Sequence, residues 1–442
     1  MHTPIYDYLS QYAASDSIRM HMPGHKGRFC PPAFQQAAKF DITEIYNADS
    51  LFEANGIIAE SETNAARLFG TSYTFYSCAG STLCIQAMLL LMKQEGREVI
   101  AARNVHRSFL NACTLLDLPV HWVYPRENCG FLSGRYHPDD FAAVLEKIHR
   151  PACVYVTSPD YLGNMADIAA ISGVCKKYSA KLLVDNAHGA HLAFLSHRCH
   201  PMQLGADFCC DSTHKMLSGL TGTAYLHVGS QTVVEPKRIR NAMAMFGSTS
   251  PSYLMLASLD WCNRELSSPL FREQLSEVTR QTTRLRKHKA DRYHFVHGEP
   301  LHLTIDAMKS GMDGRELAAY LIDNQLVPEY YDAYFVVLLC SAATRPEELN
   351  RLEQVLDDFS PTQPPKSHRP CLPHTESACG IREATLAPQE HIPIERAKGR
   401  ICAAVDIPCP PAVPIVLSGE RINAACIAVC TEYGIQEISV VK

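Results

Sequence analysis

The chain has 442 residues, 46% of them hydrophobic, with 41 basic and 46 acidic side chains and a formal net charge of −5. A chain of this length exceeds what one hydrophobic core usually organises, so two or three domains are expected. The acidic balance excludes a general nucleic-acid binder, which needs a clustered basic surface. No apolar run approaches the roughly 18 residues of a membrane span, and the first residues lack the pattern of a signal peptide.

Cysteine is unusually common, with 18 residues. No pair has the C-x-x-C spacing of a zinc knuckle, and disulfide-bonded secreted proteins are usually far shorter. We therefore expect mostly small, buried hydrophobic side chains in a reducing, cytoplasmic environment. The segment HRCH at 197–200 contains metal-ligand residue types. It is predicted to be a polar loop, and no metal site is predicted.

Between residues 70 and 230, short apolar runs alternate with helical patterns. Strands are predicted at YTFYSC (73–78), EVIAA (98–102), VHWVY (120–124), ACVYVT (152–157), KLLVD (181–185), DFCCDS (207–212) and TAYLHV (223–228). Helices are predicted at STLCIQAMLLLMKQ (81–94), SFLNACTLL (108–116) and PDDFAAVLEKI (138–148). This alternation indicates an α/β fold with a mainly parallel central sheet, which binds ligands at the carboxyl ends of its strands.

Beyond residue 259 the pattern changes. Residues 260–290 are charged and helical, and the runs LHLTI, DGRELAAYLIDNQ and YFVVLLC then suggest a smaller α+β unit. Residues 360–374 are proline-rich and are predicted to form a linker. The C-terminal segment is too short for much of a core of its own and is expected to pack on the rest. The predicted division is an N-terminal arm (1–50), a large domain (51–259), a small α+β domain (260–360), and a linker with a C-terminal segment (361–442).

Three motifs carry the chemistry. Lys215 follows an apolar strand in DSTHKMLSGLTG, and Asp185 ends the apolar strand in LLVDNAHGAH. SCAGST (77–82) joins a strand to a helix, where Gly80 and two hydroxyl side chains favour anion binding. Taken singly, these are also typical of a solvated lysine, a helix cap and an ordinary turn. Together they predict pyridoxal 5'-phosphate (PLP), which needs a lysine for its aldehyde and a carboxylate for its pyridinium nitrogen.

Several further segments then resemble one known family, in order and over nearly the whole chain. They are MPGHKGR (22–28), RNVHRS (103–108), VDNAHGAH (184–191), STHK (212–215), STSPSYLMLASLD (248–260) and IPIERAKGRICAAVDIPCPPAVPIVLSGE (392–420). They resemble the motifs of the Orn/Lys/Arg decarboxylases, PLP enzymes of fold-type I with an aspartate aminotransferase-like large domain. The resemblance is to the short form of that family, without the receiver-like N-terminal domain.

The resemblance implies roles for individual residues at the cofactor. Lys215 would bind the cofactor covalently and Asp185 would pair with its pyridinium nitrogen, while His106 and Ala187 would pack on the two ring faces. The cofactor phosphate would be bound by Gly80, Ser81, Thr82, Ser212 and His214. Ser248 and Thr249 would reach the phosphate of a neighbouring subunit, because sites in this family form at a dimer interface.

The resemblance also places residues near the substrate. Tyr161 and His188 would lie there, and His188 would take part in catalysis. Glu329 would meet a cationic side chain, unless it is an ordinary surface glutamate. His25 and Lys26, in the PGHK motif, would line the active site or the interface, unless they only fasten the N-terminal arm.

The implied activity is PLP-dependent α-decarboxylation of arginine, lysine or ornithine, in a homodimer or larger homo-oligomer. The role would be polyamine biosynthesis or acid-stress defence. There are two alternatives. The chain could have another fold-type I activity, such as that of an aminotransferase or lyase, or it could be a non-catalytic family member. The chain departs from the family pattern at Asp160, Asn186, Gly222, Cys409 and Ala412. These departures bear on substrate preference and rate rather than on cofactor binding.

Overall fold

The computed structural model describes residues 1–28, 31–128, 130, 132–403 and 412–442. Cys409, one of the departures from the family pattern, lies outside the described residues. The helices in the described part are α1 (Pro4–Ala14), α2 (Gln35–Phe40), α3 (Ile57–Phe69), α4 (Gly80–Gln94), α5 (Arg107–Leu116), α6 (Pro138–Leu145), α7 (Ile168–Lys177), α8 (Pro201–Leu204), α9 (Thr213–Met216), α10 (Pro236–Ala244), α11 (Tyr253–Leu266), α12 (Pro269–His288), α13 (Gly314–Asp323), α14 (Pro346–Asp358), α15 (Ile381–Leu386) and α16 (Ala424–Glu432). Short 3₁₀ helices cover Pro32–Phe34, Ala190–Phe194 and Ile394–Arg396.

The strands fall where the apolar runs predicted them, and additional short strands occur in both halves of the chain. They are β1 (Tyr73–Ser77), β2 (Glu98–Ala102), β3 (Val120–Val123), β4 (Glu127–Asn128), β5 (Gly134–Arg135), β6 (Ala152–Thr157), β7 (Lys181–Asp185), β8 (Phe208–Ser212), β9 (Ala224–Val228), β10 (His294–Phe295), β11 (His302–Asp306), β12 (Tyr330–Tyr331), β13 (Phe335–Leu339), β14 (Glu376–Ser377), β15 (Gln389–Pro393), β16 (Glu420–Arg421) and β17 (Glu437–Val441).

The chain forms two compact units, each built from two separate stretches. The first unit comprises residues 1–94 and 181–274, and the second comprises residues 95–180 and 275–442. In the first unit the strand order is β1-β9-β8-β7, with β7 and β8 parallel and the two pairs formed by β9 antiparallel. In the second unit β2 pairs in parallel with both β6 and β3, and β10-β11-β13-β12 form a separate antiparallel sheet. The predicted α/β class with a mainly parallel principal sheet is confirmed.

Burial explains why these strands and helices form. β8 and β9 are buried along their whole length, and β7 is buried except at its first residue, which accounts for their continuous apolar runs. Helix α4 buries nine of its fifteen residues, so it is apolar on nearly all sides, as expected for a core helix. Gly96, just after α4, has a φ of +65°, a conformation that glycine adopts without strain. This bears out the predicted end of the helix.

The C-terminal segment shares a hydrophobic core with other parts of the second unit, as expected. Cys402, Ile415, Ile422 and Val440 belong to one buried cluster that also contains Phe335 of β13. Residues 360–374 form neither helix nor strand, in agreement with the predicted linker.

A buried arginine ties the C-terminal segment to the end of β2. Arg103 is completely buried, and its Nη1 and Nη2 atoms donate to the carbonyl oxygens of Pro414 (3.0 Å) and Ile415 (3.2 Å). Its Nη2 atom also lies 3.3 Å from an oxygen of Glu420, which accepts from the Leu417 N–H at 2.7 Å. The RNVHRS and C-terminal motifs, far apart in sequence, therefore meet at this ion pair.

Replacing Arg103 by methionine should strongly destabilise the second unit. The change leaves the Glu420 carboxylate buried without its cation, which costs roughly 3–5 kcal/mol. The exposed ion pair between Arg345 and Glu348 offers a matched control, and Arg345→Met should change stability little. Urea unfolding monitored by circular dichroism measures both variants; an equal effect of the two would contradict the prediction.

Candidate active site

A strand-to-helix turn in the first unit exposes the N-terminus of α4. Gly80 has a φ of +66°, and a Cβ atom there would meet nothing within 4 Å. Glycine is therefore required by the backbone conformation and not by lack of space. Its N–H donates to the carbonyl oxygen of Gly222 at 2.7 Å. The turn leaves Ser81 and Thr82 partly exposed in the first turn of the helix, where N–H groups favour an anion.

The predicted lysine lies beside a predicted histidine. Lys215 is in α9, directly after β8, and its Nζ atom is 3.0 Å from Nε2 of His188. Ser212 ends β8, and its hydroxyl donates to that of Ser81 at 3.2 Å. His214 donates through Nδ1 to the carbonyl oxygen of Thr223 at 3.1 Å. Burial and the neighbouring Lys215 lower the pKa of His214, although its bond to Thr223 opposes the shift.

Asp185 is a buried carboxylate at the carboxyl end of β7. It is only 3% exposed. Its Oδ1 atom accepts from the Ala187 N–H at 3.2 Å and from the Cys210 thiol at 3.6 Å. These donors replace part of the hydration that a buried carboxylate loses. The structure thus places the predicted aspartate where α/β sheets bind ligands.

A second buried carboxylate lies next to this site and was missed by sequence reasoning. Asp211 accepts from the Asn186 side-chain amide at 2.7 Å and contacts His200 and His227. All four residues are completely buried. The segment HRCH is a loop, as predicted, but its last two residues are buried: Cys199 is 7% exposed and His200 is fully buried. The missed signal was an aspartate inside an otherwise apolar strand.

Two departures from the family pattern in the first unit have local structural reasons. Asn186 serves as the hydrogen-bond donor to Asp211. Gly222 has a φ of +91°, and a Cβ atom there would lie 2.8 Å from Cε of Met255. A side chain at this position would therefore be strained and would also displace Met255.

The serine-rich segment before α11 approaches the turn at α4. A cavity of about 170 Å³ is bounded by Cys78, Ala79 and Ser248, among other residues. Ser248 and Thr249 are exposed, and the Ser248 hydroxyl accepts from the Ser250 N–H at 3.1 Å. Their contact with the cofactor phosphate of a neighbouring subunit stays a prediction.

His25 and Lys26 make local contacts. Nε2 of His25 is 3.1 Å from a carboxylate oxygen of Asp41, and its Nδ1 accepts from the Gly27 N–H at 3.0 Å. Lys26 donates to the carbonyl oxygen of His21 at 2.5 Å. These contacts all lie within the N-terminal arm, and the predicted role of His25 and Lys26 at the active site or the interface stays a prediction.

In the second unit, His106 caps α5. Its Nδ1 accepts from the Ser108 N–H at 3.1 Å and lies 2.7 Å from the Ser108 hydroxyl. The ring orientation is thereby fixed, with the proton on Nε2. Such a ring is suited to stacking, the role that the resemblance implied.

Tyr161 and Glu329, both predicted to lie near the substrate, are brought together in the second unit. The Tyr161 hydroxyl donates to Oε1 of Glu329 at 3.4 Å, and its ring packs edge-on against Tyr330. Glu329 is exposed. An exposed carboxylate whose orientation is fixed by a neighbouring hydroxyl can bind a cation.

Asp160, another departure from the pattern, organises the loop that carries Tyr161. Its carboxylate accepts from the N–H groups of Leu162 and Asn164, both at 3.0 Å, and from the Ser133 hydroxyl. Burial raises the pKa of Asp160 to about 6, although these hydrogen bonds oppose the shift. The residue also borders a polar cavity of about 450 Å³ beyond the ends of β2 and β6.

Two parts of the chain match the models of one protein family. Residues 3–304 match the model of the Orn/Lys/Arg decarboxylase major domain, and residues 373–431 match that of the C-terminal domain. The chain belongs to the Orn/Lys/Arg decarboxylase family. Membership confirms the predicted enzyme class, a decarboxylase of basic amino acids. None of the helices in the described residues is long and apolar enough to cross a membrane.

Known relatives align with most of this chain. The arginine decarboxylase of Halalkalibacterium halodurans is 28% identical, over 97% of this chain and 93% of its own. The lysine decarboxylase LdcF of Francisella novicida has a similar fold, with a TM-score of 0.83 and 16% identity over 100% of this chain and 81% of its own. A serine palmitoyltransferase from S. paucimobilis, solved with a bound PLP adduct, matches 67% of this chain and 74% of its own, with a TM-score of 0.52 and 17% identity.

The raised pKa of Asp160 predicts a specific pH dependence of stability. The folded protein holds the Asp160 proton up to about pH 6, whereas the unfolded chain releases it near the ordinary value of 3.8. The stabilisation by Asp160 is therefore complete below about pH 4 and is lost as the pH rises past 6. We expect the free energy of unfolding of wild type, relative to Asp160→Asn, to fall by about 2 kcal/mol between pH 4 and pH 7.

Denaturant unfolding of both proteins at several pH values between 4 and 7 measures this difference. Other titrating groups cancel because only position 160 differs. A difference that is constant or that grows with pH would contradict the prediction.

Proposed function

We propose that this decarboxylase uses PLP to convert arginine to agmatine and CO2, as a cytoplasmic homodimer. The observation that carries the proposal is the contact between Lys215, just after β8, and His188. In the same unit, the neighbouring strand β7 ends at the buried Asp185. The relative most informative about substrate, an arginine decarboxylase, matches nearly the whole of both chains. No disulfide bond joins two of the cysteines that the structure describes, which supports a reducing compartment.

The donor set in the first unit fits the cofactor's phosphate. The N-terminus of α4 and the hydroxyls of Ser81 and Ser212 would provide hydrogen bonds to it, and the ring of His214 would do so through Nε2 when protonated. Thr82, in the first turn of the same helix, would add a further hydroxyl. Backbone N–H groups at a helix N-terminus carry partial positive charge and favour a phosphate.

The remaining groups would hold the cofactor ring. PLP, when bound, acts as an electron sink for the charge that develops at the substrate's α-carbon. Asp185 would hold a proton at the ring nitrogen, because an ionised carboxylate there favours the charged form. Lys215 would bind the cofactor covalently through Nζ. His188, at 3.0 Å from that atom, would accept or return its proton.

Glu329 and Tyr161 would recognise the substrate's side chain. A guanidinium group can donate two parallel hydrogen bonds to a carboxylate, which provides orientation as well as affinity. The Tyr161 hydroxyl already donates to one oxygen of Glu329 and would keep the carboxylate in place. Ser248 and Thr249 would complete the site across a dimer interface, as the resemblance implies.

The direct test combines a spectrum with a product assay. Purified protein is given PLP, its visible absorption is recorded, and CO2 and amine release are measured separately with arginine, lysine and ornithine. Agmatine from arginine, with both the absorption band and the activity lost in Lys215→Ala, would support the proposal. A keto acid product would instead indicate an aminotransferase, and cofactor binding without turnover would indicate a non-catalytic member.

Replacing Glu329 by glutamine should weaken arginine binding. The amide has nearly the same shape but lacks the charge, so KM for arginine should rise roughly tenfold, while kcat changes less. Steady-state kinetics with arginine measures both constants. Glu347→Gln, at another exposed glutamate of the second unit, is the matched control. Unchanged KM in Glu329→Gln would assign this residue to the ordinary surface.

A further inference from the structure

The buried carboxylate of Asp211 is the centre of a hydrogen-bonded cluster that the proposed function leaves unexplained. Its Oδ1 atom accepts from Asn186 Nδ2 at 2.7 Å and from the Cys209 thiol at 3.4 Å. Its Oδ2 atom lies 2.9 Å from Nε2 of His200 and 3.2 Å from Nε2 of His227. All five side chains are completely buried. These residues are called the Asp211 cluster below.

Both histidines lie within hydrogen-bonding distance of Asp211 through Nε2. The Met202 N–H donates to Nδ1 of His200 at 3.3 Å, so the proton of this ring lies on Nε2. Nδ1 of His227 is 2.8 Å from the Thr74 hydroxyl, which can donate to it in the same way. Burial lowers the pKa of His227 despite the nearby Asp211. Burial alone would raise the pKa of Asp211, but the two histidines hold it well below its ordinary range.

The cluster is located where regular strand pairing stops. The last paired residues of β7 and β8 are Asp185 and Cys210. One more backbone bond follows, from the Asn186 N–H to the Cys210 carbonyl oxygen at 3.0 Å. The chain then turns, so the side-chain bond between Asn186 and Asp211 is what continues to join the two strand ends.

Side-chain alternation couples this cluster to the cofactor side of the sheet. Successive residues of a strand point to opposite faces. Asp185 and its donor Cys210 therefore share one face, and Asn186 and Asp211 share the other. A shift of the β8 end would move Cys210, Ser212 and the following Lys215 together.

We propose that Asp211 is a positioning residue, which holds the ends of β7 and β8 so that Asp185, Ser212 and Lys215 are correctly placed for PLP. The inference rests on the proposed function in that PLP is the bound group. Sites of this kind need supporting groups that fix the contacting residues to within about 0.5 Å. His227 of β9 and His200 before α8 extend this support to two further elements.

A metal ion is the alternative occupant of the cluster. Ligand atoms of His200, Cys209 and Asp211 lie within 4.8 Å of one another. Each nitrogen or sulfur atom, however, is already directed at Asp211 as a hydrogen-bond donor. Metal binding would require the Cys209 thiol and Nε2 of His200 to lose these protons.

The test compares Asn186→Asp and Asn186→Ala with a matched control. Asn186→Asp has the same shape but places a second carboxylate against Asp211. Asn186→Ala removes only one of the four hydrogen-bond donors to Asp211, so this variant is expected to fold in any case. Thr74→Val removes the outer hydrogen bond of His227, away from the strand ends. The dissociation constant for PLP and the visible circular dichroism of bound PLP are measured, together with the thermal unfolding midpoint of each cofactor-free protein.

We expect both Asn186 variants to raise the PLP dissociation constant roughly tenfold or more and to change the dichroic band. Thr74→Val should lower the unfolding midpoint without either change. If the Asn186 variants behave like Thr74→Val, the cluster is merely structural and the inference is overturned. A stoichiometric transition metal in the purified wild type would also overturn it. Absence of PLP binding by wild type would overturn both this inference and the proposed function, whereas normal binding by all variants would overturn only the inference.

Discussion

The burial of two carboxylates at the ends of neighbouring parallel strands is the constraint on which the first unit depends. A carboxylate leaves water only when donors replace its hydration. Asp185 receives a backbone N–H and a thiol, and Asp211 receives four side-chain donors. The donors of Asp211 come from β8, β9, the residue after β7 and the residue before α8. Satisfying one buried charge thus restricts several elements that bear the candidate cofactor residues.

The same constraint explains what sequence reasoning could and could not find. Lys215 and Asp185 were predictable because each follows or ends an apolar run, and strand ends collect functional residues. The Asp211 cluster was not, since its members are separated by up to 41 residues and meet only through the pairing of three strands. His200 illustrates the difficulty: its neighbours in HRCH include exposed polar residues, yet it caps a buried helix end.

The departures from the family pattern are mostly compensated in their immediate surroundings. Asn186 replaces an acidic residue, and the structure pairs its amide with the acidic Asp211. Gly222 accommodates a positive φ, and Asp160 holds the loop that carries Tyr161. Ala412 is different, because it adopts a φ of +55° that glycine would adopt without strain. Changes at the first three positions therefore alter how the site is supported, while its chemical groups are retained.

Most of the candidate cofactor-binding residues belong to the first unit, and the candidate substrate-binding residues Tyr161 and Glu329 belong to the second. The first unit holds Lys215, Asp185 and the proposed phosphate donors. The hydrogen bond between Asn186 and the buried Asp211 joins the ends of β7 and β8 there. The second unit contains Tyr161 and the exposed Glu329, whose side chains are joined by a hydrogen bond. A substitution at an exposed glutamate disturbs no core, whereas one at Asp211 leaves buried donors unsatisfied. Under the proposed function, a substitution at Glu329 would alter substrate preference and leave Lys215 and Asp185 unchanged.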